Sequence, residues 1–234
     1  MINQIILGDC FEVLSKMDKN SVDLILTDPP YNISKNSNFT KNSTNTKFNK
    51  ISIDFGEWDK EEINLDKLFA EYKRVLKPGG TMIIFYDIWK AERLKITAED
   101  HGFRQPRICQ WIKKNPTPIN SKVNYLSNAI EFFFTFTKGK KPTFNSSYDK
   151  GIYNFPLCHG HERTKHPTQK PIELIKSIIE KHSNKGDIIL DTFGGSGTLA
   201  EAAMVLDRNF ILIERDEIYY NISVDRINKV DKKV

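Results

Sequence analysis

Apolar residues fall along this chain in two alternating rhythms. Short continuous runs, Gln4–Leu7, Val22–Thr27, Thr81–Tyr86, Ile188–Asp191 and Phe210–Ile213, have the length and character of parallel strands buried on both faces. Between them, apolar positions recur at helical spacing. One such stretch runs from about Asp66 to Leu76 and is closed by Lys77-Pro78-Gly79-Gly80. Another takes Pro171 as its first residue and carries Leu174, Ile175, Ile178 and Ile179 on one stripe. A third spans Leu199 to Leu206. Ile108–Lys113 and Ala129–Thr137 read as two further strands, an antiparallel pair at one edge. Within the second, Phe132-Phe133-Phe134 reads as strand core rather than as a stacking platform.

Two stretches break the rhythm. Asn32 to Ile53 is rich in Asn, Ser, Thr and Lys and holds no acidic residue, so it is expected to be a mobile loop. Residues 114 to 165 mix prolines, aromatics and lysines with weak periodicity, which suggests an irregular insertion that touches a partner. The chain of 234 residues suits one sizeable α/β domain with such an insertion. No run approaches the roughly 18 apolar residues of a membrane span, and the start of the chain has no signal-peptide pattern. Three scattered cysteines argue against a disulfide framework and for a reducing cytoplasm.

Charge adds one asymmetry. Residues 101 to 170 hold twelve Lys/Arg against three Asp/Glu, or +9, while the whole chain is +5, leaving the remainder at −4. A basic segment beside a mildly acidic body points to a polyanion-facing surface.

Candidate chemistry sits at two strand ends. The run Val22–Thr27 leads into Asp28-Pro29-Pro30-Tyr31. The prolines fix φ and lack an N–H, so the nearby carbonyls are free acceptors. A carboxylate with free carbonyls can hold an amino group by its hydrogens, and a tyrosine ring can stack on a planar base. The run Ile188–Asp191 leads into Thr192-Phe193-Gly194-Gly195-Ser196-Gly197-Thr198 and then a helix. This glycine-rich turn matches neither the dinucleotide fingerprint nor the P-loop pattern, which favours a nucleoside-type ligand over a phosphate. Glu214 ends the next strand, where an acid commonly binds ribose hydroxyls, and Phe193 could cover an adenine face.

These motifs together resemble the DNA amino-methyltransferases, which transfer a methyl group from S-adenosyl-L-methionine to adenine N6 or cytosine N4. The order, with Asp28–Tyr31 before the glycine turn and the insertion between, resembles the β group of that family. Val75–Gly80, Trp111 with Lys113-Asn115-Pro116, and His166-Pro167-Thr168-Gln169-Lys170-Pro171 extend the resemblance over nearly the whole chain. It implies a seven-stranded, mostly parallel, doubly wound Rossmann-like sheet with a target-recognition insertion. The expected division is 1–113 as the catalytic half with the loop 32–53, 114–165 as the insertion and edge strand, and 166–234 as the cofactor half.

The resemblance implies Asp28, Pro29, Pro30 and Tyr31 as catalytic residues. It implies Asp9, Asp28, His166, Thr168, Gln169, Asp191, Phe193, Gly195, Ser196, Gly197, Thr198 and Glu214 around the cofactor. Thr192 departs from it, standing where the family often has proline. The expected partner is double-stranded DNA, contacted through Lys35, Lys41, Lys47, Lys113, Lys114, Lys138, Lys140 and Lys141. A cognate restriction endonuclease and a homodimer are further expectations. Asp28 favours adenine, because family members acting on cytosine more often carry Ser there. Cytosine-N4 methylation is the nearest alternative, followed by RNA or protein methylation and by a non-enzymatic nucleic-acid-binding module. Cys158-His159-Gly160-His161-Glu162 fits no regular zinc spacing, and no metal is expected. Tyr148, Tyr153 and Phe155 are candidates for base stacking, with packing as the competing reading.

Overall fold

The computed structural model describes residues 2–30, 63–116, 126–139 and 141–230. The loop 32–53, with Lys35, Lys41 and Lys47, lies outside them, as do Tyr31 and Lys140.

Among the described residues, eight strands form a single sheet: β1 (Gln4–Leu7), β2 (Val22–Thr27), β3 (Leu76–Phe85), β4 (Arg104–Lys113), β5 (Ile130–Thr137), β6 (Ile152–Phe155), β7 (Ile188–Asp191) and β8 (Asn209–Glu214). Their spatial order is β1-β8-β7-β2-β3-β5-β4-β6. From β1 to β3 every pairing is parallel; β5 runs antiparallel to both β3 and β4, and β6 returns parallel to β4. The expected doubly wound, mostly parallel sheet is therefore present, with the four-residue β6 extending it at the edge.

The helices are α1 (Cys10–Ser15), α2 (Leu65–Val75), α3 (Ala91–Asp100), α4 (Ile172–His182), α5 (Thr198–Val205) and α6 (Glu217–Val230). Side chains of a strand point alternately to the two faces, and the core divides accordingly. Ile25, Met82, Ile84, Phe134, Phe136, Ile211 and Ile213 pack with Leu14 of α1, Leu68, Phe69 and Tyr72 of α2 and Leu94 of α3. Leu24, Leu26, Ile83, Phe85, Phe133, Phe210 and Leu212 pack with Leu174 and Ile178 of α4 and Leu199 and Ala202 of α5. Phe133 and Phe134 are thus core, one on each face. No helix among the described residues is long and apolar enough to cross a membrane.

Two boundaries differ from expectation. The Lys77–Gly80 segment is not a closing turn: α2 stops at Val75, and β3 starts at Leu76 and includes Pro78. A register shift between Val22 and Leu24 absorbs the irregular Pro78-Gly79. Pro171 precedes α4 as its N-cap rather than opening its first turn.

Candidate active site

The carboxyl ends of β1, β2, β7 and β8 converge on a cavity of about 410 Å³, within the range of small-molecule and cofactor sites. Gly8 and Asp9 follow β1, Asp28, Pro29 and Pro30 follow β2, Asp191 to Ser196 follow β7, and Glu214 closes β8; all line it. The segment before α4 contributes His166, Thr168, Gln169 and Lys170.

The glycine turn is built around contacts that leave no room for a side chain. A Cβ on Gly194 would collide with Leu212. At Gly195 the backbone has φ 51°, and a Cβ would stand 2.9 Å from His166 Nε2. The turn therefore lies flat on β8 and close to the His166 segment. Glu214 fixes it from the next strand, its Oε2 accepting from Gly195 N at 2.6 Å and its Oε1 from Asp216 N at 2.7 Å. A carboxylate has about four acceptor positions, so each oxygen keeps capacity for a ribose hydroxyl. Burial pushes the Glu214 carboxyl upward, against the pull of these N–H groups. Ser196 and Thr198 also line the cavity, whereas Gly197 does not: it caps α5 with φ 75° and packs on Ser223.

Asp9 performs two roles. Its Oδ1 caps α1 by accepting from Phe11 N at 2.9 Å and Glu12 N at 3.3 Å, and the residue lines the cavity. Gln169 lines the cavity and also ties its own loop together. Its Oε1 accepts from Thr164 N and Oγ1, both at 2.8 Å, and its Nε2 donates to Glu162 O at 2.8 Å. In the same loop Cys158 Sγ donates to Gln169 O, and Glu162 Oε1 accepts from Ile172 N. The Cys158–Glu162 run thus holds the loop together.

The two motif strands are joined by hydroxyls. Thr27 Oγ1 donates to Asp191 Oδ1 at 2.8 Å and lies 3.3 Å from Thr192 Oγ1, which also meets the buried Tyr72 hydroxyl. Asp191 Oδ1 accepts from Phe193 N at 3.0 Å as well. Burial pushes the Asp191 carboxyl up to about 7 despite these donors. Thr192 thus supplies a hydroxyl that a proline would lack.

Asp28 is held differently. Its Oδ2 is ion-paired with Lys170 Nζ, while Oδ1 is buried with no hydrogen-bond partner. Lys170 is 8% exposed, lies 3.3 Å from Glu131 Oε2 and sits over the Phe85 ring. Glu131 in turn meets Lys113 at 2.9 Å. Burial pushes the Asp28 carboxyl up, and Lys170 opposes this. At Glu131 burial acts upward too, but Lys170 and Lys113 outweigh it and leave that carboxyl below its ordinary range. An ionic chain, Asp28–Lys170–Glu131–Lys113, therefore holds Asp28 by one carboxylate oxygen and leaves the other without a partner.

Among the described residues, the lysines of the basic segment expected at DNA divide between two edges of the sheet. Lys113 and Lys114 end β4 beside the cavity edge, but Lys113 is turned inward to Glu131 and only Lys114 is exposed. Lys138 and Lys141 lie at the opposite edge of the sheet, since β5 runs antiparallel and ends beside the start of β3. Lys138 Nζ is engaged by Asn20 Oδ1 at 2.8 Å and by the carbonyls of Lys73 and Leu76. The antiparallel return of β5 thus places Lys138 and Lys141 at the edge opposite Lys113 and Lys114. Tyr153 is buried against Phe133 and Lys181, and so packs instead of stacking on a base.

Several cavity residues carried no sequence signal of their own: Phe11, Ile63, Phe85, Arg215 and Tyr219, whose ring meets His166 edge-on at 4.4 Å. Lys170 stood within a recognised motif, but its partner Asp28 is 142 residues away.

A doubly wound sheet with a nucleoside-sized cavity under a glycine turn, and a carboxylate at its mouth, defines a cofactor-dependent group-transfer site. Comparison with known proteins names the group. The model of the N6/N4 DNA methylase family matches residues 22–225. The type II methyltransferase M2.MboI of Moraxella bovis is 32% identical over 242 residues, covering 95% of this chain and 86% of its own length. M.HinfI of Haemophilus influenzae is 30% identical over 253 residues, covering 98% of this chain and 69% of its own. The crystal structure of an M1.HpyAVI–SAM complex superposes with a TM-score of 0.73 at 31% identity, covering 96% of this chain and 98% of that one. The chain belongs to the N6/N4 DNA methylase family: it is a DNA methyltransferase, and its cofactor is S-adenosylmethionine. The cavity fits that cofactor through its glycine turn, the spare acceptor capacity of Glu214 and the apolar walls Phe11, Ile63 and Phe193.

Proposed function

We propose that the protein methylates the N6 amino group of adenine in duplex DNA at a specific sequence, after flipping the base out of the helix. The observation that carries this reading is Asp28: one carboxylate oxygen is anchored on Lys170 and the other is buried without a partner. A buried, unpaired acceptor is costly, and an exocyclic amine supplies the missing donor. Asp28 Oδ1 and the Pro29 carbonyl accept the two amine hydrogens, which draws the nitrogen lone pair out of conjugation with the ring. Tyr31 stacks on the extruded base. When bound, S-adenosylmethionine would supply an electrophilic methyl group whose S–C bond breaks as the N–C bond forms, leaving S-adenosylhomocysteine, and the residues of the cavity would hold the cofactor beside the amine. Such positioning of two reactants can contribute roughly 7–11 kcal/mol in favourable cases. Asp28 acts as an acceptor, and the proton leaves only after the nitrogen has become methylated.

In this reading Asp9, Asp28, His166, Thr168, Asp191, Phe193, Gly195, Ser196, Thr198 and Glu214 surround the cofactor, and Gly197 shapes the turn. The insertion around 114–165 reads the target between the halves 1–113 and 166–234. The type II designation of the relatives supports a restriction–modification context in the cytoplasm. Nucleoside analysis of DNA incubated with the protein tests the base: N6-methyladenine is expected, and N4-methylcytosine in its place would overturn the assignment. Asp28→Ala is expected to lower methyl transfer by at least a thousandfold at saturating cofactor with the fold retained; activity within tenfold of the parent would remove Asp28 from its role.

A further inference from the structure

Trp89 is 91% exposed, the most exposed of the large apolar side chains beside the cavity edge. An indole is a large apolar group, and a single side chain of that size usually finds cover. Its setting is ordered. Trp89 lies in a 3₁₀ turn, Ile88–Lys90, capped by Asp87, whose Oδ1 accepts from Trp89 N at 3.0 Å; Lys90 N donates back to Asp87 O at 3.0 Å.

The turn continues β3 at the carboxyl edge of the sheet. Phe85, the last residue of β3, lines the catalytic cavity, and four residues of chain reach at most ~14 Å. The indole therefore stands at the carboxyl edge of the sheet, the edge on which the cavity opens. The first residues of β5 reach the same edge, where Ile130 is also exposed. The neighbouring charges are mixed but include the cations that backbone phosphates require: Lys90 in the turn, exposed Arg93 in α3 and exposed Lys114 at the end of β4.

We infer that Trp89 is a DNA-stacking residue that inserts beside the target nucleotide. The inference deepens the proposed base-flipping reaction and rests on it. An extruded base leaves two neighbours unstacked, and an apolar side chain wedged into the stack restores contact. A flat aromatic surface stacks on any base, so Trp89 supplies affinity and holds the flipped state without reading sequence. The apolar body meets bases while Lys90, Arg93 and Lys114 face phosphates, a division that a protein partner would not need.

The test begins by mapping methylated sites in unmethylated plasmid DNA, then uses a labelled duplex of about 30 base pairs around one mapped site with 2-aminopurine at the target position. Trp89→Ala is expected to weaken duplex binding roughly 5- to 150-fold and to reduce the 2-aminopurine signal, with cofactor affinity and melting temperature unchanged. Trp89→Phe is expected to recover most of both. Duplex affinity and 2-aminopurine signal within twofold of the parent in Trp89→Ala would overturn the inference. So would a change of sedimentation from dimer to monomer with DNA affinity per protomer unaltered, because the side chain would then serve a second copy of the chain. A parent protein that methylates the mapped site without any 2-aminopurine signal would instead remove the flipping step on which the inference rests.

Discussion

Asp28 divides the molecule into two sides built by different means. On the cofactor side, β1, β8, β7 and β2 are all parallel, and the residues that line the cavity directly follow their strand ends. Each is placed by one short local turn. On the other side, β5 and β4 run against and beside β3, and the groups nearest Asp28 arrive from distant parts of the chain: Lys170 before α4, Glu131 in β5 and Lys113 in β4. The cofactor side can be assembled by backbone geometry because its ligand is the same in every turnover. The other side must tune one carboxylate, and long-range ion pairs do that.

Removing the cation on the second side should have the largest effect on that contrast. Lys170→Met takes away the charge that opposes burial at Asp28. An adjacent opposite charge typically moves a carboxyl by about one to three units. In the proposed reaction the ionised Asp28 accepts one amine hydrogen and the Pro29 carbonyl the other, so the acid limb of the kcat profile should move to higher pH by a comparable amount. The rate should therefore fall most on the acid side of the profile, Lys170→Arg should recover much of it, and cofactor affinity should stay within a few fold. An unshifted acid limb would show that Lys170 only fills space.

On the cofactor side the matching change is Glu214→Ala. It removes the acceptor of Gly195 N and Asp216 N and leaves the turn without its anchor. Hydrogen bonds to a charged group are worth about 1.5–3 kcal/mol, so calorimetry should record S-adenosylmethionine binding weaker by roughly ten- to a hundredfold. The acid limb of kcat should not move, and a joint loss of both quantities would erase the division between the sides.

The smallest effect separates the two edges of the sheet. Lys114 and Lys141 are both exposed, but only Lys114 lies at the cavity edge. A lost phosphate contact lowers the slope of log affinity against log salt by about one. Lys114→Gln should show that drop and Lys141→Gln should not. Equal slopes would return the basic segment to a single DNA-facing surface.

Most of the parallel half was legible in the sequence. β2 and β7 have the bounds that their apolar runs predict, because strands buried on both faces are largely apolar; β1 also has its expected bounds, but it is a half-exposed edge strand rather than a buried one. α4 was equally plain from its stripe. By contrast α1 has only six residues, and among the fourteen of α6 only Ser223 is buried, so neither carries a strong apolar signal. The site followed the same rule. Asp28, the glycine turn and Glu214 sit at strand ends that a linear reading reaches. The Asp28–Lys170–Glu131 chain and the division of the basic segment depend on how β5 turns back, and periodicity alone does not specify strand direction. Trp89 was hidden for a simpler reason, since exposure is a property of the folded surface.

The hydroxyl bridge from Thr27 to Asp191 joins residues 164 positions apart. It makes the site a late product of synthesis. While β2 is emerging from the ribosome, the strand that will lie beside it does not yet exist. At 5–20 residues per second, roughly ten to thirty seconds pass before Asp191 is made. Glu214 follows later still. A nascent chain therefore carries the acidic tetrapeptide for most of its growth with no cofactor pocket next to it, and catalytic competence arrives only when the last part of the sheet docks.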